Sequence, residues 1–422
     1  MSEVTSDATE AAEQRSYWQV LRNRKLATLL AGDAISKIGD GMTFVGLPLM
    51  ALALHGSVAA AVAIALVNGA PLLAPFGLSL YFGLGKRRFD PRLVLLIDSS
   101  LRAVMFFVLG ALALADRLNF GLLLGLLMAG SVVKLLSASA RRLAAVEMVD
   151  EDGRLAVNGL LGTSDNLALF VVGPALGGLI VALSGPDLIL IANGVTYLAM
   201  LVAAALVVPR AKRSEASDVK DEVSSGWTIM RRLPVVVRLA LVVFLFDMFY
   251  GPVEVALPLL VTDELDGDGA AYGAMWTAFG VGALVGALLT NQLRKYPPKV
   301  LVVAIIGGWS LCAAALGVAP NLLVAGVVLA VGGAVYGPFL AIAYTLLQSL
   351  LKTDEQQPVF ALWAAGITVA FPLGLAVGGP LVTAAGPRGG ILVSALVTAL
   401  LVPAAWHWLM RRKSPTAPQP LR

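Results

Sequence analysis

Carboxylates inside long apolar stretches are the residues of this sequence with the clearest chemistry. Six such side chains are present: Asp33, Asp40, Asp98, Asp165, Asp247 and Glu254. A charge at the centre of a membrane helix costs about 3 kcal/mol even on lenient insertion scales, so each group needs either a partner or a function. Loss of water raises the pKa of a buried carboxyl group toward the range in which it binds and releases protons within one cycle. These residues therefore indicate reversible protonation, with structural charge pairing as the alternative.

Basic residues at helical spacing offer partners for some of these acids. Asp33 and Lys37 are four residues apart, as are Asp98 and Arg102, so each pair shares one face of a helix. Lys134, in the fourth apolar segment, is a candidate partner for Asp40 or Asp165. For Asp98 and Arg102 we favour simple neutralisation as the interpretation.

The candidates for proton coupling are the acids with the least obvious partners, together with Asp33. Asp40 lies in the middle of its apolar stretch, and Asp247 lies in the middle of the corresponding stretch of the second half of the chain. Glu254 follows Pro252, which removes a backbone donor and predicts a kink in the helix. We rank Asp40 and Glu254 first, and a structural hydrogen bond is the alternative for each.

The elements that carry these side chains are predicted from composition. The chain has 422 residues, of which 58% are hydrophobic and 14% charged, with a mean hydropathy of +0.83. These values exclude a soluble enzyme and a disordered chain, and the lone Cys312 excludes an intrachain disulfide. The two histidines lie at segment ends, so we expect no metal site. Twelve apolar segments are long enough to cross a bilayer as helices, at 26–54, 57–84, 93–115, 119–140, 156–184, 187–208, 235–261, 270–293, 299–319, 321–350, 358–385 and 388–410.

Charge distribution predicts the orientation of these segments. With the N-terminus inside, the cytoplasmic parts collect 25 Lys and Arg residues, and the outer loops hold only Arg117 and Arg388. The polar residues 1–25 are followed by no cleavage site of the signal-peptide type. We therefore expect a multi-pass protein of a bacterial-type cell membrane with both termini in the cytoplasm.

Internal repetition predicts two halves of six helices each, in the same orientation. Three motifs recur in order, with Arg87–Arg92 matched at Arg294–Lys299, Leu47–Leu49 at Leu257–Leu259, and the glycines and proline of 173–186 at 374–387, at offsets of 207, 210 and 201 residues. The predicted organisation is a tail at 1–25, a half at 26–208, a linker at 209–234, a half at 235–410 and a tail at 411–422. Two parallel repeats predict a central site that opens alternately to each side of the membrane.

This pattern resembles the major facilitator superfamily, in particular drug exporters of the macrolide-efflux and enterobactin-exporter type. The resemblance covers nearly the whole chain and is carried locally by Gly32–Asp40 and Ile97–Arg102. Gly173, Pro174, Gly177 and Gly178 resemble the fifth-helix motif that is associated with antiporters in the superfamily. The resemblance implies an all-α membrane fold and export, whereas close helix packing is the simpler explanation of the glycines.

The loop after the second segment departs from the superfamily pattern. Members usually carry an Asp at the position that is occupied here by Arg87, which is followed by Arg88. Asp90, before Arg92, is the nearby acid that would replace it in a cytoplasmic gate.

Aromatic side chains in the spans are candidates for the substrate cavity, with ordinary packing as the more common role. They are Phe44, Phe249, Tyr250, Tyr336 and Trp363. Aromatic rings beside acids suit a lipophilic cation, although the basic residues of the spans would equally receive an anion.

The function that these observations favour is proton-coupled export of small amphipathic or drug-like molecules. The alternative is an exporter of a natural product, siderophore or lysolipid, without required proton coupling. One proton moved inward supplies about 2.3 kcal/mol per 100 mV and about 1.4 kcal/mol per pH unit, enough for a gradient of a few hundredfold. The sequence has no phosphate-binding loop for ATP, and we expect neither an enzyme nor a signalling sensor. The expected partners are the lipid bilayer, protons and a small-molecule substrate, with no cofactor and no nucleic acid, and the expected state is a monomer.

Overall fold

The computed structural model describes residues 16–84, 90–209 and 219–410, and all regular structure in these residues is helical. The helices in chain order are α1 Tyr17–Leu21, α2 Arg24–Leu54, α3 Ala60–Leu84, α4 Pro91–Leu114, α5 Phe120–Ser131, α6 Lys134–Glu147, α7 Glu151–Leu167, α8 Gly173–Ser184, α9 Asp187–Val207, α10 Val219–Arg232, α11 Pro234–Leu259, α12 Gly269–Leu293, α13 Pro298–Gly317, α14 Leu322–Tyr336, α15 Phe339–Ser349 and α16 Thr353–Met410. Within the described residues, ten helical stretches are long and apolar enough to cross a membrane, and a shorter apolar helix covers Ala60–Pro75. The predicted all-α membrane class is therefore confirmed.

Two π-helical turns interrupt the spans next to prolines. The turn Ala168–Val172 directly precedes Gly173 and Pro174, and the turn Leu260–Glu264 follows Pro258 closely. Proline cannot donate a backbone hydrogen bond, so the ladder is rearranged around it.

Glycines with positive φ make matching bends in the two halves of the sequence. Gly185 has a φ of 81° between α8 and α9, and Gly386 has a φ of 74° inside α16. Both are followed by proline at the 201-residue offset of the sequence repeat. The bend at Gly386 divides the 58 residues of α16 into two helical segments, because its φ of 74° is not a helical value. Glycine suits this position, since an L side chain rarely adopts such a backbone conformation.

The first compact unit comprises the described residues within Met1–Gly46, Ala74–Leu118 and Gly125–Ala216. In it α4 packs along α9, and α6 contacts α4. Its apolar core includes Leu29 and Leu95, both almost fully buried. This unit holds most of the charged side chains that the sequence places in spans.

The second compact unit comprises the described residues within Leu47–Leu73, Asn119–Leu124 and Ser217–Arg422. In it α11 packs along α16, and α12 packs along α14. Phe246 and Trp309 are fully buried in its core. Leu47–Leu73 lies in the first half of the sequence but groups with this unit.

One predicted segment boundary differs from the structure, and the difference places a further charged residue in a helix. The fourth apolar segment, placed at 119–140 from hydropathy, continues as a helix to Glu147. Arg141, assigned by sequence to a cytoplasmic loop, is therefore part of α6. Hydropathy ends a segment at the first charged residues, but a helix continues where those charges find partners.

Glycines allow the backbones of α2 and α8 to touch in the first unit. A Cβ on Gly173 would lie 2.5 Å from the Cα of Gly41, and a Cβ on Gly177 would lie 2.9 Å from the carbonyl oxygen of Met42. Pro174 and Gly178 of the same motif are also buried. The glycine–proline motif of α8 therefore lies at a close helix contact, as expected if its role is helix packing.

The second unit repeats this contact between α11 and α16. A Cβ on Gly251 would lie 2.5 Å from the carbonyl oxygen of Gly374, and a Cβ on Gly378 would lie 2.9 Å from the Cα of Pro252. Gly251 follows Gly41 by 210 residues, and Gly374 follows Gly173 by 201 residues. The offsets of the sequence repeat are thus offsets between equivalent helix contacts.

Replacing Gly173 by Val is expected to destabilise the protein, because the added methyl groups cannot fit between α2 and α8. Overpacking of this kind costs about 1–3 kcal/mol. The measurement is the thermal unfolding midpoint of the purified full-length protein in detergent. Gly162→Val on α7 is the matched control, since a Cβ there meets nothing within 4 Å. Equal midpoints for the two variants would contradict the packing role.

Candidate functional site

A polar cavity of about 70 Å³ lies inside the first unit. Charged side chains from α2, α4 and α6 line it, namely Asp33, Lys37, Asp40, Asp98, Arg102, Lys134 and Arg141, together with Tyr197 of α9. A space of this volume accommodates a few water molecules but not a drug-sized molecule. The cavity is therefore large enough only for water beside these charged groups.

One chain of contacts in this cavity centres on Arg102. Its Nε donates to Asp98 Oδ1 at 3.2 Å, and its Nη1 donates to the hydroxyl of Tyr197 at 2.5 Å. The Tyr197 hydroxyl in turn donates to Asp40 Oδ1 at 2.5 Å, and Arg102 Nη1 lies 3.8 Å from the same oxygen. Asp40 is thus held by a cation and by a phenol.

A second chain of contacts centres on Arg141. Its guanidinium pairs with Asp33 and donates to both carboxylate oxygens of Asp165 at 3.3 Å. Lys37 Nζ lies 4.0 Å from Asp165 Oδ1. Asp33 Oδ2 and Arg141 Nε are buried without a hydrogen-bond partner among the described residues, so the cavity has polar atoms that water can satisfy.

The two chains, together with Lys134 in the same cavity, form a network that is balanced in charge. Counting Asp165, which Arg141 binds, four carboxylates face four basic side chains. A buried ion network of this kind is costly to break, because removing one member leaves an uncompensated charge. Protonation of Asp40 would likewise leave the network with one positive charge in excess, although Arg102 keeps Asp98 at 3.2 Å.

The second unit contains a different kind of acidic site. Asp247 and Glu254 lie two turns apart on α11, and their exposed fractions are 6% and 2%. The Tyr336 hydroxyl donates to Asp247 Oδ1 at 3.2 Å, and Tyr250 hydrogen-bonds with Glu254. Asp247 Oδ2 is buried without a hydrogen-bond partner among the described residues.

Neither of these acids has a basic partner among the residues that the structure describes. Within residues 16–84, 90–209 and 219–410, no Lys or Arg forms an ion pair with Asp247 or Glu254. An ionised carboxylate buried without a cation is strongly unfavourable, and proton uptake removes that cost. This pair of acids, which we call the α11 carboxyl pair, therefore has the chemistry of a proton-binding site.

Aromatic rings surround the α11 carboxyl pair. The ring of Tyr250 lies 5.2 Å from that of Trp309 and 5.9 Å from that of Tyr336, measured between centroids. Phe279 lies 6.0 Å from both Trp309 and Tyr336. The two predicted cavity tyrosines are thus brought together.

The other predicted cavity aromatics have separate surroundings. Phe44 packs edge-on against Phe170 at 5.8 Å in the first unit, and Trp363 is buried 5.9 Å from Tyr344 in the second. The observed polar contact of Phe249 is made by its backbone, whose carbonyl oxygen accepts a hydrogen bond from Ser394 at 2.5 Å. Packing is the observed contact for Phe44 and Trp363.

The loop after α3 is described only at its end. Asp90 caps the N-terminus of α4 by accepting a hydrogen bond from the backbone of Arg92 at 2.9 Å, and Arg92 donates to the carbonyl oxygen of Ala205 at 2.7 Å. The predicted gate residues Arg87 and Arg88 lie outside the described residues. The observed role of Asp90 is helix capping.

Two residues of the charged cavity, Arg141 and Tyr197, are not predicted from the sequence. Arg141 was counted as a loop residue, although it follows Lys134 by seven residues and so shares a face of a continued helix. Tyr197 gave no signal, because a single tyrosine in an apolar segment is ordinary. Its contact with Asp40, 157 residues earlier, is visible only in the fold.

Comparisons with known proteins point to one family. The transmembrane secretion effector family matches residues 15–352. The multidrug efflux pump Tap of Mycolicibacterium fortuitum is 27% identical over 390 residues, covering 89% of this chain and 93% of that protein. Tap of Mycobacterium tuberculosis strain H37Rv is 28% identical over 390 residues, covering 87% and 89%.

Solved structures share the fold at low sequence identity. A bacterial homologue of the iron transporter ferroportin, in an inward-facing state, has a TM-score of 0.72 and 18% identity, covering 92% of this chain and 99% of that one. A D-xylose–proton symporter has a TM-score of 0.69 and 16% identity, covering 93% and 98%. At these identities the likeness concerns the fold alone.

Proposed function

The chain belongs to the transmembrane secretion effector family of the major facilitator superfamily, and we propose that it exports amphipathic, drug-like molecules in exchange for protons. Export of drugs is supported by its relatives, which are multidrug efflux pumps at 27–28% identity over most of both chains. The alternating-access cycle is supported by the internal repeat of the sequence.

The membrane topology that we propose has twelve spans, with both termini in the cytoplasm. Ten candidate spans are described, α16 bends at Gly386 into two segments, and α3 adds another, which together make twelve. The cytoplasmic placement of both termini is supported by the basic residues, which are concentrated in the two tails and in alternate loops between the spans.

The α11 carboxyl pair carries the proton-coupling part of the proposal. Among the proposed coupling residues, Asp33 and Asp40 have arginine partners, whereas Asp247 and Glu254 have only tyrosines in the described part of the chain. A coupling group must take up and release its proton, and a strong ion pair opposes the uptake because it stabilises the ionised form. We therefore assign proton binding to Glu254 and Asp247 in preference to Asp40.

The charge-balanced network of the first unit has a complementary role in this proposal. It keeps its acids ionised and paired, so the unit retains its shape while the proton is taken up elsewhere. Lys134 and the water-sized space beside Asp40 allow that pairing to adjust without leaving a charge alone.

Ethidium, a fluorescent lipophilic cation, provides the first test. Bacteria that express the full chain are expected to accumulate less ethidium than the same strain carrying the empty vector, and an uncoupler is expected to abolish the difference. A panel of uncharged and anionic drugs extends the assay. Equal accumulation for every compound would contradict drug export, whereas a difference that survives the uncoupler would contradict proton coupling alone.

A further inference from the structure

A short motif with an exposed tryptophan occurs before the first long helix of each half. Trp18–Arg22 reads Trp-Gln-Val-Leu-Arg, and Trp227–Arg231 reads Trp-Thr-Ile-Met-Arg, 209 residues later. This offset falls within the 201–210 range of the other repeats. Each motif is tryptophan, a polar residue, two aliphatic residues and arginine, and each is followed within three residues by α2 or α11.

One face of the first motif packs against the protein, and the other face is exposed. Val20 is 2% exposed in the apolar core of the first unit, and Asn23 donates its side-chain amide to the carbonyl oxygen of Met148 at 2.8 Å. Trp18 is 81% exposed on the same short helix, and Arg22 is exposed beside it. The tryptophan therefore projects from a position that is fixed by packing.

The second motif has the same arrangement in the second unit. Met230 is 7% exposed, and the following Arg232 pairs with Glu355 of α16. Trp227 is 50% exposed, and the guanidinium of Arg231 lies 5.0 Å from the centre of its ring. An exposed tryptophan with an arginine beside it again stands on a fixed helix.

Each motif lies in a short stretch of sequence that is basic, and Glu355 of α16 pairs with Arg232 beside the second motif. Residues 16–25 contain Arg22, Arg24 and Lys25 and no acid, and residues 226–234 contain Arg231 and Arg232 and no acid. Within the described residues, Arg22 and Arg231 form no ion pair with a carboxylate. Their charge is therefore available to an anion outside the protein.

Tryptophan next to free arginine at the end of a membrane span matches the chemistry of a phospholipid headgroup. The indole ring favours the interface between hydrocarbon and water, and the guanidinium binds phosphate. We propose that Trp18 with Arg22 and Trp227 with Arg231 are two anchors that bind anionic phospholipid headgroups of the cytoplasmic leaflet. Each anchor fixes the entry of the first helix of its half at the membrane surface, and this role is independent of proton coupling.

Binding of fluorescent phosphatidylglycerol to the purified full-length protein in detergent tests the anchors. Unlabelled phosphatidylglycerol is expected to compete and phosphatidylcholine is not. Arg22→Gln and Arg231→Gln are each expected to weaken binding at their own site about fivefold, the change that ~1 kcal/mol of headgroup attraction per basic residue gives. The double variant is expected to lose the preference for the anionic lipid.

Arg294→Gln is the matched control, since Arg294 is an exposed basic residue after α12 without a neighbouring tryptophan. Thermal unfolding midpoints equal to wild type show that the variants are folded. Unchanged affinity in the double variant, equal competition by phosphatidylcholine, or an equal loss in Arg294→Gln would each overturn the proposal.

Discussion

Replacing Glu254 by Gln is expected to abolish uphill export while leaving downhill drug exchange intact. Glutamine copies the size and the neutral state of a protonated glutamate but cannot release a proton. A full proton gradient supports a drug ratio of up to a few hundredfold. In the variant that ratio is expected to fall to about one. The measurement compares gradient-driven uptake with drug-for-drug counterflow in everted vesicles.

The control for this substitution neutralises a nearby acid that is exposed. Asp263 lies in the π-helical turn that continues α11, and Asp263→Asn is expected to retain uphill transport. Asp247→Asn is expected to impair it, as Glu254→Gln does. Full gradient-driven uptake by Glu254→Gln would exclude Glu254 as the coupling group.

The second large effect is expected from Arg141→Gln, as a loss of stability in the first unit. Asp33 is 2% exposed, and its ion-pair partner among the described residues is this arginine, so the variant buries an unpaired carboxylate. Breaking a buried pair in this way costs about 3–5 kcal/mol. The thermal unfolding midpoint of the purified protein reports the loss, and the neighbouring Arg142→Gln, at an exposed site, is the matched control.

A second substitution separates charge balance from packing. Asp33→Asn in the Arg141→Gln background removes the unpaired charge, while Asp165 keeps Lys37 at 4.0 Å. The double variant is therefore expected to regain much of the lost stability. If it unfolds as early as Arg141→Gln alone, the loss comes from packing and the ion network has no stabilising role.

The sequence predicted the helices and one of the two charge pairs at four-residue spacing, whereas Asp33 pairs with Arg141 and Lys37 lies 4.0 Å from Asp165. Long apolar segments required helices, and the four-residue spacing of Asp98 and Arg102 is the spacing of the observed 3.2 Å contact. The glycine motif was predicted as either an antiporter signature or a packing device, and its contact with Gly41 is that of packing. Such features depend on one helix or on one repeat.

The partners of the acids could not be predicted, because they lie far away in the chain. Asp40 is held by Arg102 and Tyr197, which are 62 and 157 residues later. The assignment of Arg141 failed for a related reason, since hydropathy treats a charged residue as the end of a span. Only the fold shows that Glu254 has an aromatic environment, whereas Asp40 has an ionic one.

Exchange of drug for protons requires that protons leave the vesicle lumen as the drug enters it. In everted vesicles that contain the wild-type protein, ethidium uptake and lumenal pH are followed together under an imposed inside-acid gradient. Proton-coupled export predicts ethidium-dependent alkalinisation of the lumen in step with uptake, and the loss of this alkalinisation in Glu254→Gln. Ethidium uptake that continues after the gradient has collapsed, or that proceeds without any change in lumenal pH, would contradict it.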